Sequence, residues 1–422
     1  LAHRIRLRPT RDQEQYFYRA CGVARFAYNW ALAEWETSFA RGQRQSEAAL
    51  RRKLNAIKDS EFPWMRDVTK NAPQQAIKNL GRAYSKYFAA IRMAQKDALP
   101  RRTVRKPTFK RKGRRDSFRA DSGPERSRLN GVRTNGRRIK LPRIGWIRMR
   151  EALRFEGRIL SVTVSRQADR WYAAVAVEVA HIVPLRTDTS IAGCDLGITT
   201  FATIANDQEC TKILAPRPLH RLVGRVRRLS KSLSRKVCGS RNRRKAKTKL
   251  ARLHARISDI RTDALHKLTT RLVRSFRVVG IEDINVCGIL RNRHVAFALS
   301  DLAFGEFRRQ LTYKAMMRGS TVVVVDRWFP SSKICSVCST KNAHLRFGAA
   351  CWACAECKTE HDRDENAARN LFHAASSAVS ACGAKGAGSA SKPNETSRAE
   401  AGRFAKADRN GQEIVGSTSG LG

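Results

Sequence analysis

A chain of 422 residues has room for two or three domains and a sizeable buried core, since single domains usually run to about 100–200 residues. Its 84 Lys and Arg against 36 Asp and Glu leave a formal charge of +48, an excess that opposes compaction unless a polyanion neutralises it, so DNA or RNA is the expected partner. The 11 cysteines, an odd number without framework spacing, argue against a secreted disulfide scaffold, and with no signal peptide and no apolar run near the ~20 residues that span a bilayer, a reducing cytosolic compartment is expected.

The chain begins at Leu1, so an initiator Met is expected to have been trimmed. The first eight residues alternate like a short strand, with Ile5 and Leu7 on one face and Arg4, Arg6 and Arg8 on the other. Pro9-Thr10 then opens a helix in which Phe17, Cys21, Ala24, Tyr28, Ala31 and Trp35 recur at helical spacing. Similar stripes at about 45–58 and 73–95, the latter with Ile77, Leu80, Tyr84, Phe88 and Ile91, complete a helical platform whose apolar faces belong to a core. Between 100 and 115, Arg101, Arg102, Arg105, Lys106, Lys110, Arg111, Lys112, Arg114 and Arg115 are interleaved with Pro107 and Phe109. Like charges at that density form a solvated arm, which beside nucleic acid contacts phosphates.

From 137 to 180 the pattern turns to strands, at 139–141, 147–150, 160–165 and 171–179, the last two joined by the turn Gln167-Ala168-Asp169 as a hairpin. Residues 191–198 and 201–205 predict two strands about a tight turn, the start of an α/β sheet. Residues 219–272 predict one or two long basic helices broken near Gly239-Ser240, followed by a buried strand ending in Glu282, a helix near 300–318 and a valine strand at 321–325. After Asn370 the sequence drifts into Ala, Ser, Gly and mixed charge, so a largely disordered tail is expected over 377–422.

Strands buried on both faces have little use for acids, and Asp195 and Glu282 both fall at strand ends, where open α/β sheets collect functional groups. A third acid lies in Asp362-Arg363-Asp364. If a helix starts there, Asp364 shares a face with Ala367, Ala368 and Leu371, so it is preferred and Asp362 is the fallback. Clustered carboxylates repel and drift towards protonation unless hard cations such as Mg²⁺ or Mn²⁺ bind them, and two such ions can drive hydrolysis of a phosphodiester. Taken singly, each acid could equally be a turn or capping residue.

Cys335-Ser336-Val337-Cys338, fifteen residues, then Cys354-Ala355-Glu356-Cys357 has the spacing of paired zinc knuckles. Cys351 is a rival to Cys357 for the fourth position, and His361 a weaker substitute. Four protein ligands make the site closed and structural.

The ordered run Gly193-Cys194-Asp195-Leu196-Gly197, Gly280-Ile281-Glu282-Asp283-Ile284, Arg291-Asn292-Arg293-His294, Asp326-Arg327-Trp328-Phe329-Pro330-Ser331-Ser332-Lys333, the cysteine pairs and Asp362-Arg363-Asp364-Glu365-Asn366-Ala367-Ala368 resembles TnpB, the transposon-encoded RNA-guided DNA endonucleases ancestral to type V CRISPR effectors. Pro107-Thr108-Phe109-Lys110-Arg111-Lys112, Ser117-Phe118 and the helix over 25–32 agree with it, and the resemblance covers about 1–374. It implies a multidomain α+β and α/β protein. A small wedge-like β-barrel is expected over 1–10 and 126–188, with a helical recognition insertion and its basic arm over 11–125. A ribonuclease-H-like RuvC nuclease would follow at 189–330 and 359–376, with a zinc module at 331–358. It also implies catalytic, Mg²⁺-binding roles for Asp195, Glu282 and Asp364, Zn²⁺ at Cys335, Cys338, Cys354 and Cys357, and nucleic-acid contacts through Lys106, Lys110, Lys112, Arg241, Arg243, Arg244, Arg291 and Arg293. The partners implied are a guide RNA and double-stranded target DNA read beside a short flanking motif, with the protein a monomer on one RNA in the prokaryotic cytoplasm, associated with the nucleoid and not with a membrane. A guide-dependent repressor without cleavage is the alternative, and it predicts a lost carboxylate, whereas all three positions are intact.

Overall fold

A computed structural model describes residues 1–95, 105–122, 131–180, 186–289, 291, 293–346 and 348–383. Arg101, Arg102, Asn292 and the part of the expected tail over 384–422 lie outside the described residues. The chain divides into two compact units, one of Leu1–Arg186, Ala215–Leu272 and Val286–Gly319, the other of Thr187–Leu214, Val273–Asn285 and the residues from Ser320 onward.

In the first unit, β1 (Ala2–Arg8) alternates exposed and buried residues as its sequence predicts. Thr10 then caps α1 (Arg11–Ala40) with a reciprocal box: its Oγ1 accepts from the Gln13 N–H at 3.3 Å, and Gln13 Oε1 accepts from the Thr10 N–H at 3.1 Å. Helices α2 (Glu47–Ile57) and α3 (Asn71–Gln95) follow. Strands β2 (Ser117–Asp121), β3 (Arg133–Asn135), β4 (Arg138–Leu141), β5 (Gly145–Met149), β6 (Arg158–Gln167) and β7 (Arg170–Glu178) join β1 in a seven-stranded sheet, ordered β2-β6-β7-β1-β5-β4-β3. Every pairing is antiparallel, and among the described residues β2 and β3 are free edges, so the expected barrel is present as an open sheet.

One apolar face of this sheet and the helices share a core. Phe17 of α1 lies 5.0 Å from Trp171 and 5.8 Å from Phe118, ring centre to ring centre, and Trp35 stacks on Tyr84 of α3 at 4.4 Å. Burying one aromatic side chain of this kind contributes roughly 2–3 kcal/mol, and each such pair about 1 kcal/mol more. Two-residue periodicity in the strands and helical periodicity in α1 and α3 therefore converge on the same core.

The second unit is built on β8 (Ile191–Asp195), β9 (Thr200–Ala205) and β10 (Cys210–Leu214). In the chain these are followed by α4 (Pro218–Ser234) and α5 (Arg241–Ser275), which up to Leu272 belong to the first unit and are separated at Gly239, whose φ of 81° suits glycine. The second unit resumes with β11 (Val278–Glu282) and, after α6 (Val286–Ile289), α7 (Arg293–Leu302) and α8 (Phe304–Arg318) of the first unit, with β12 (Thr321–Val325). The five strands are ordered β10-β9-β8-β11-β12, with β8, β11 and β12 mutually parallel and β9 and β10 antiparallel. A small hairpin, β13 (Cys351–Ala353) with β14 (Glu360–Asp362), precedes α9 (Arg363–Gly383), which continues through 377–383, where the sequence predicts the start of the tail.

The single helix expected near 300–318 is two helices, α7 and α8, because Ala303 adopts a left-handed φ of 55°. Asp301, buried at the end of α7, accepts the Leu219 and His220 N–H groups at 2.9 and 3.1 Å and pairs with Arg261 of α5 at 2.9 Å. It thereby caps α4, whose own N-terminal residue, Arg217, supplies no side-chain cap.

Candidate functional site

Gly193 of β8 and Gly280 of β11 are register partners, and together they make a groove for α9. A Cβ on Gly193 would stand 2.1 Å from the Ala368 carbonyl oxygen, and one on Gly280 would stand 2.6 Å from that of Leu371. The backbone of α9 therefore lies directly on the sheet, with Ala367, Ala368, Leu371 and Ala375 buried. Side chains alternate along a strand, so Asp195 and Glu282, two residues beyond each glycine, face the same side as α9. Asp364, in the first turn of α9, has its Oδ2 3.7 Å from the position of a Cβ on Gly197, in the turn after β8. The three acids predicted from the sequence thus collect at the carboxyl ends of two parallel strands and the start of one helix.

Their electrostatics follow from that placement. Burial pushes the Asp195 carboxyl up to about 7, and the charges of Asp364 and Glu282 add to the rise. Glu282 is raised by burial and then by Asp283, and Asp364 by burial and then by Asp362. None of the three makes an ion pair among the described residues, whereas neighbouring acids do: Asp283 with Arg327, and Asp362 with Lys212. Oxygen donors gathered without an ion pair of their own, and raised on balance despite the more distant charges of Arg363 and Lys212, fit a hard divalent ion by their chemistry.

Asp362 has a different task. Its Oδ1 accepts the Asp364 and Glu365 N–H groups at 3.0 and 3.1 Å, capping α9, while its Oδ2 accepts from Lys212 Nζ at 2.8 Å. Burial alone would raise this carboxyl, but the Lys212 hydrogen bond and the helix N–H groups hold it below the ordinary range. Lys212 also pairs with Glu365 at 3.0 Å. Sequence reasoning overlooks Lys212 because nothing local in Cys210-Thr211-Lys212 marks it.

Cys335, Cys338, Cys354 and Cys357 converge, with all four Sγ atoms within 4.8 Å of one another and pairs at 3.5 and 3.6 Å. A tetrahedron with metal–sulfur bonds of ~2.3 Å has edges of about 3.8 Å, so the set can hold a zinc ion. Among the described residues it is the one such group of three or more His, Cys, Asp or Glu ligand atoms, the carboxylates being less tightly gathered. Cys351 is exposed at the start of β13, opposite Asp362, and takes no part. His361 is not a fourth ligand either: its Nε2 lies 3.1 Å from Cys335 Sγ, outside the set, and Trp352 packs on its ring at 4.8 Å. Asn366 and Asn370 of α9 each donate to the Ile334 carbonyl at 2.7 Å, tying the cysteine module to the helix that carries Asp364.

The basic residues divide into engaged and open ones. Lys106 pairs with Glu36 at 3.0 Å, and Lys110 lies 4.0 Å from the centre of the Tyr28 ring, where burial lowers its pKa. Arg243 donates to the Leu233 and Lys236 carbonyls at 3.1 and 2.7 Å, closing the turn between α4 and α5. Lys112, Arg241, Arg244 and Arg291 are exposed, and Arg293 is the first residue of α7.

Three family models match the chain: one described as "Probable transposase" (OrfB of IS605) over residues 174–293, a Cas12f1-like TNB domain over 304–371, and a "Helix-turn-helix domain" of the same OrfB family over 1–44. In that last span the structure has β1 and the single long helix α1. A Streptomyces pristinaespiralis protein described as "Putative RNA-guided DNA endonuclease" is 37% identical over 391 residues, covering 90% of both chains. Escherichia coli K12 InsQ, described in the same words, is 30% identical over 402 residues, covering 90% of this chain and 94% of its own. A Cas12f1 structure solved with guide RNA and target DNA shares the fold at 14% identity and a TM-score of 0.51, covering 86% of this chain and 83% of that one. The mixed α/β fold is therefore similar to that of this Cas12f1. Identity at this level over nine-tenths of both partners means that the chain belongs to the TnpB family, the OrfB proteins of IS605-type transposons.

Proposed function

We propose that the chain is an RNA-guided, divalent-metal-dependent DNA endonuclease that cleaves double-stranded DNA complementary to its guide beside a short flanking motif. The observation that carries this reading is the set of three carboxylates without an ion pair, Asp195 and Glu282 at the ends of parallel strands β8 and β11 and Asp364 at the start of α9 packed on them. In this reading a ribonuclease-H-like RuvC nuclease spans 189–330 and 359–376, interrupted by a zinc module over 331–358. The wedge-like domain is 1–10 and 126–188, which supplies six of the seven strands of the antiparallel sheet; the segment 11–125, which supplies the seventh, β2, is its helical recognition insertion, and 377–422 is a tail.

Asp195, Glu282 and Asp364 would hold Mg²⁺ or Mn²⁺, which when bound supplies an activated water and stabilises the leaving oxygen of the phosphodiester. The protein's part is positional. The glycine groove fixes α9, and Asp362, used as a cap and neutralised by Lys212, sets the first turn from which Asp364 projects. That division of labour favours Asp364 over Asp362 as the third ligand. Zn²⁺ at the four cysteines is structural, and the open cations Lys112, Arg241, Arg244 and Arg291, with Lys106, Lys110, Arg243 and Arg293 in the same three segments, contact nucleic acid. The relatives' descriptions as RNA-guided endonucleases support a guide RNA and target DNA as partners. No described helix is long and apolar enough to cross a membrane, and the proposed setting is the prokaryotic cytoplasm, with one protein on one RNA. The test is to purify the protein from its host, sequence the RNA bound to it, and offer duplex DNA matching that RNA with Mg²⁺. Cleavage confined to matching DNA is expected, and a protein that carries no RNA would overturn the guided reading.

A further inference from the structure

Val325, the last residue of β12, is the register partner of Glu282, so the loop that follows β12 leaves the sheet beside the carboxylates. Asp326 turns the chain there: its Oδ1 accepts the Trp328 N–H at 2.8 Å, and its carbonyl accepts the Phe329 N–H at 3.0 Å. Arg327 pairs with Asp283, the residue after Glu282. Farther along, Ser331 is buried, and its carbonyl accepts from Asn370 of α9 at 2.7 Å. The loop is therefore anchored at both ends, to the strand that carries Glu282 and to the helix that carries Asp364.

Between those anchors Trp328 is 84% exposed, more than any other large apolar residue among the described ones, and its ring meets no other ring or cation there. Trp35 and Trp171, by contrast, are buried in ring clusters. An indole in water forgoes the stabilisation that burial gives those two. Because the backbone on either side is pinned, folding presents this ring at the edge of the carboxylate site. The faces of an indole bind nucleobases by stacking, and stacking accepts any base. That tolerance suits a nuclease whose target sequence is chosen by guide pairing and not by its own side chains.

We propose that Trp328 stacks on an unpaired base of the DNA strand in the site and so positions the scissile phosphate beside Asp195, Glu282 and Asp364. A paired base has both faces covered within a duplex, whereas guide pairing displaces a strand whose bases are open. This inference rests on the guided nuclease reading above.

The test uses the full chain with its co-purified RNA, as parent, Trp328→Ala and Trp328→Tyr, on matching duplex DNA with Mg²⁺. The parent's cut positions are mapped first, and duplexes with a single abasic nucleotide at each position around the cut are then compared with intact DNA. Trp328→Ala is expected to cut intact DNA roughly ten- to a hundredfold more slowly, the scale of one stacked base. Trp328→Tyr is expected to stay within about threefold of the parent, because a phenol face still stacks. At one position the abasic nucleotide should slow the parent as much as Trp328→Ala slows cutting of intact DNA, and should slow Trp328→Ala no further. Equal cutting by parent and Trp328→Ala, no rescue by Trp328→Tyr, or losses that multiply at every abasic position would each overturn the stacking while leaving the guided reading standing. A parent that cuts no matching duplex would overturn both.

Discussion

Asp195 is an acid whose folded state favours the proton. Its carboxyl is raised to about 7 from an ordinary 3.8, first by burial and then by Asp364 and Glu282. A raised acid contributes stability that is fully present below the unfolded value and lost as pH rises through the folded one, so the metal-free protein should lose a few kcal/mol between about pH 4 and 7. Denaturant titrations across that range should show the loss in the parent, a flatter profile in Asp195→Asn, and recovery at pH 7 and above on adding Mg²⁺, because metal competes with protons for the same oxygens. A profile identical in parent and variant would remove Asp195 from the cluster. Asp362 and Asp364 separate by role: Asp364→Asn should lower cleavage by about a thousandfold, the scale of several kcal/mol of charge stabilisation. Asp362→Asn, which still caps a helix, should stay within about tenfold in the same assay. The acids of β8 and β11 are legible in the sequence because strands so apolar have no other use for them. The choice of Asp364 over Asp362 is less so: a helix face shared with Ala367, Ala368 and Leu371 favours it, but both sit where a helix begins and either can cap it.

At the scale of elements, the close approach of α9 to the sheet depends on two missing side chains. Gly193→Ala puts a Cβ 2.1 Å from a backbone oxygen, so α9 must move, and a loss of about 1–3 kcal/mol is expected in urea melts together with a large fall in cleavage. Stability equal to the parent would mean that the groove is slack. In the cysteine module, Cys357→Ser should lower bound zinc from one per chain while Cys351→Ser leaves it unchanged, as measured by atomic emission on purified protein. The opposite ranking would make Cys351 the ligand. Spacing alone leaves Cys351 and Cys357 level, and only the β13–β14 hairpin, with Cys351 turned opposite Asp362, separates them. Long periodic segments such as α1, β7 and α5 are legible in the sequence, but β2 and β10 are not. The first directly follows a basic arm whose charge dominates it, and the second is a half-polar edge strand of five residues. Likewise no residue type announces the left-handed backbone of Ala303 that splits α7 from α8.

For the whole molecule, an excess of +48 spread over both halves of the chain calls for polyanion, and the exposed cations Lys112, Arg241, Arg244 and Arg291 offer it footholds. Charge is legible from composition, yet how each cation is used is decided by folding: Lys110 lies over the Tyr28 ring and Arg243 closes a helix turn, while Arg138 and Arg148, unremarked in the sequence, are left exposed. The barrel anticipated from the family resemblance is an open sheet among the described residues, because closure depends on edge pairings that strand periodicity does not encode. The central claim is that three carboxylates on this sheet cut DNA chosen by a bound RNA, and the most direct measurement compares the parent and Asp195→Ala, each carrying its co-purified RNA, on matching and scrambled duplexes with and without Mg²⁺. The account predicts cleavage by the parent alone, on the matching duplex alone and with metal alone, while Asp195→Ala retains its RNA and cuts about a thousandfold more slowly or not at all. Undiminished cleavage by Asp195→Ala would contradict it.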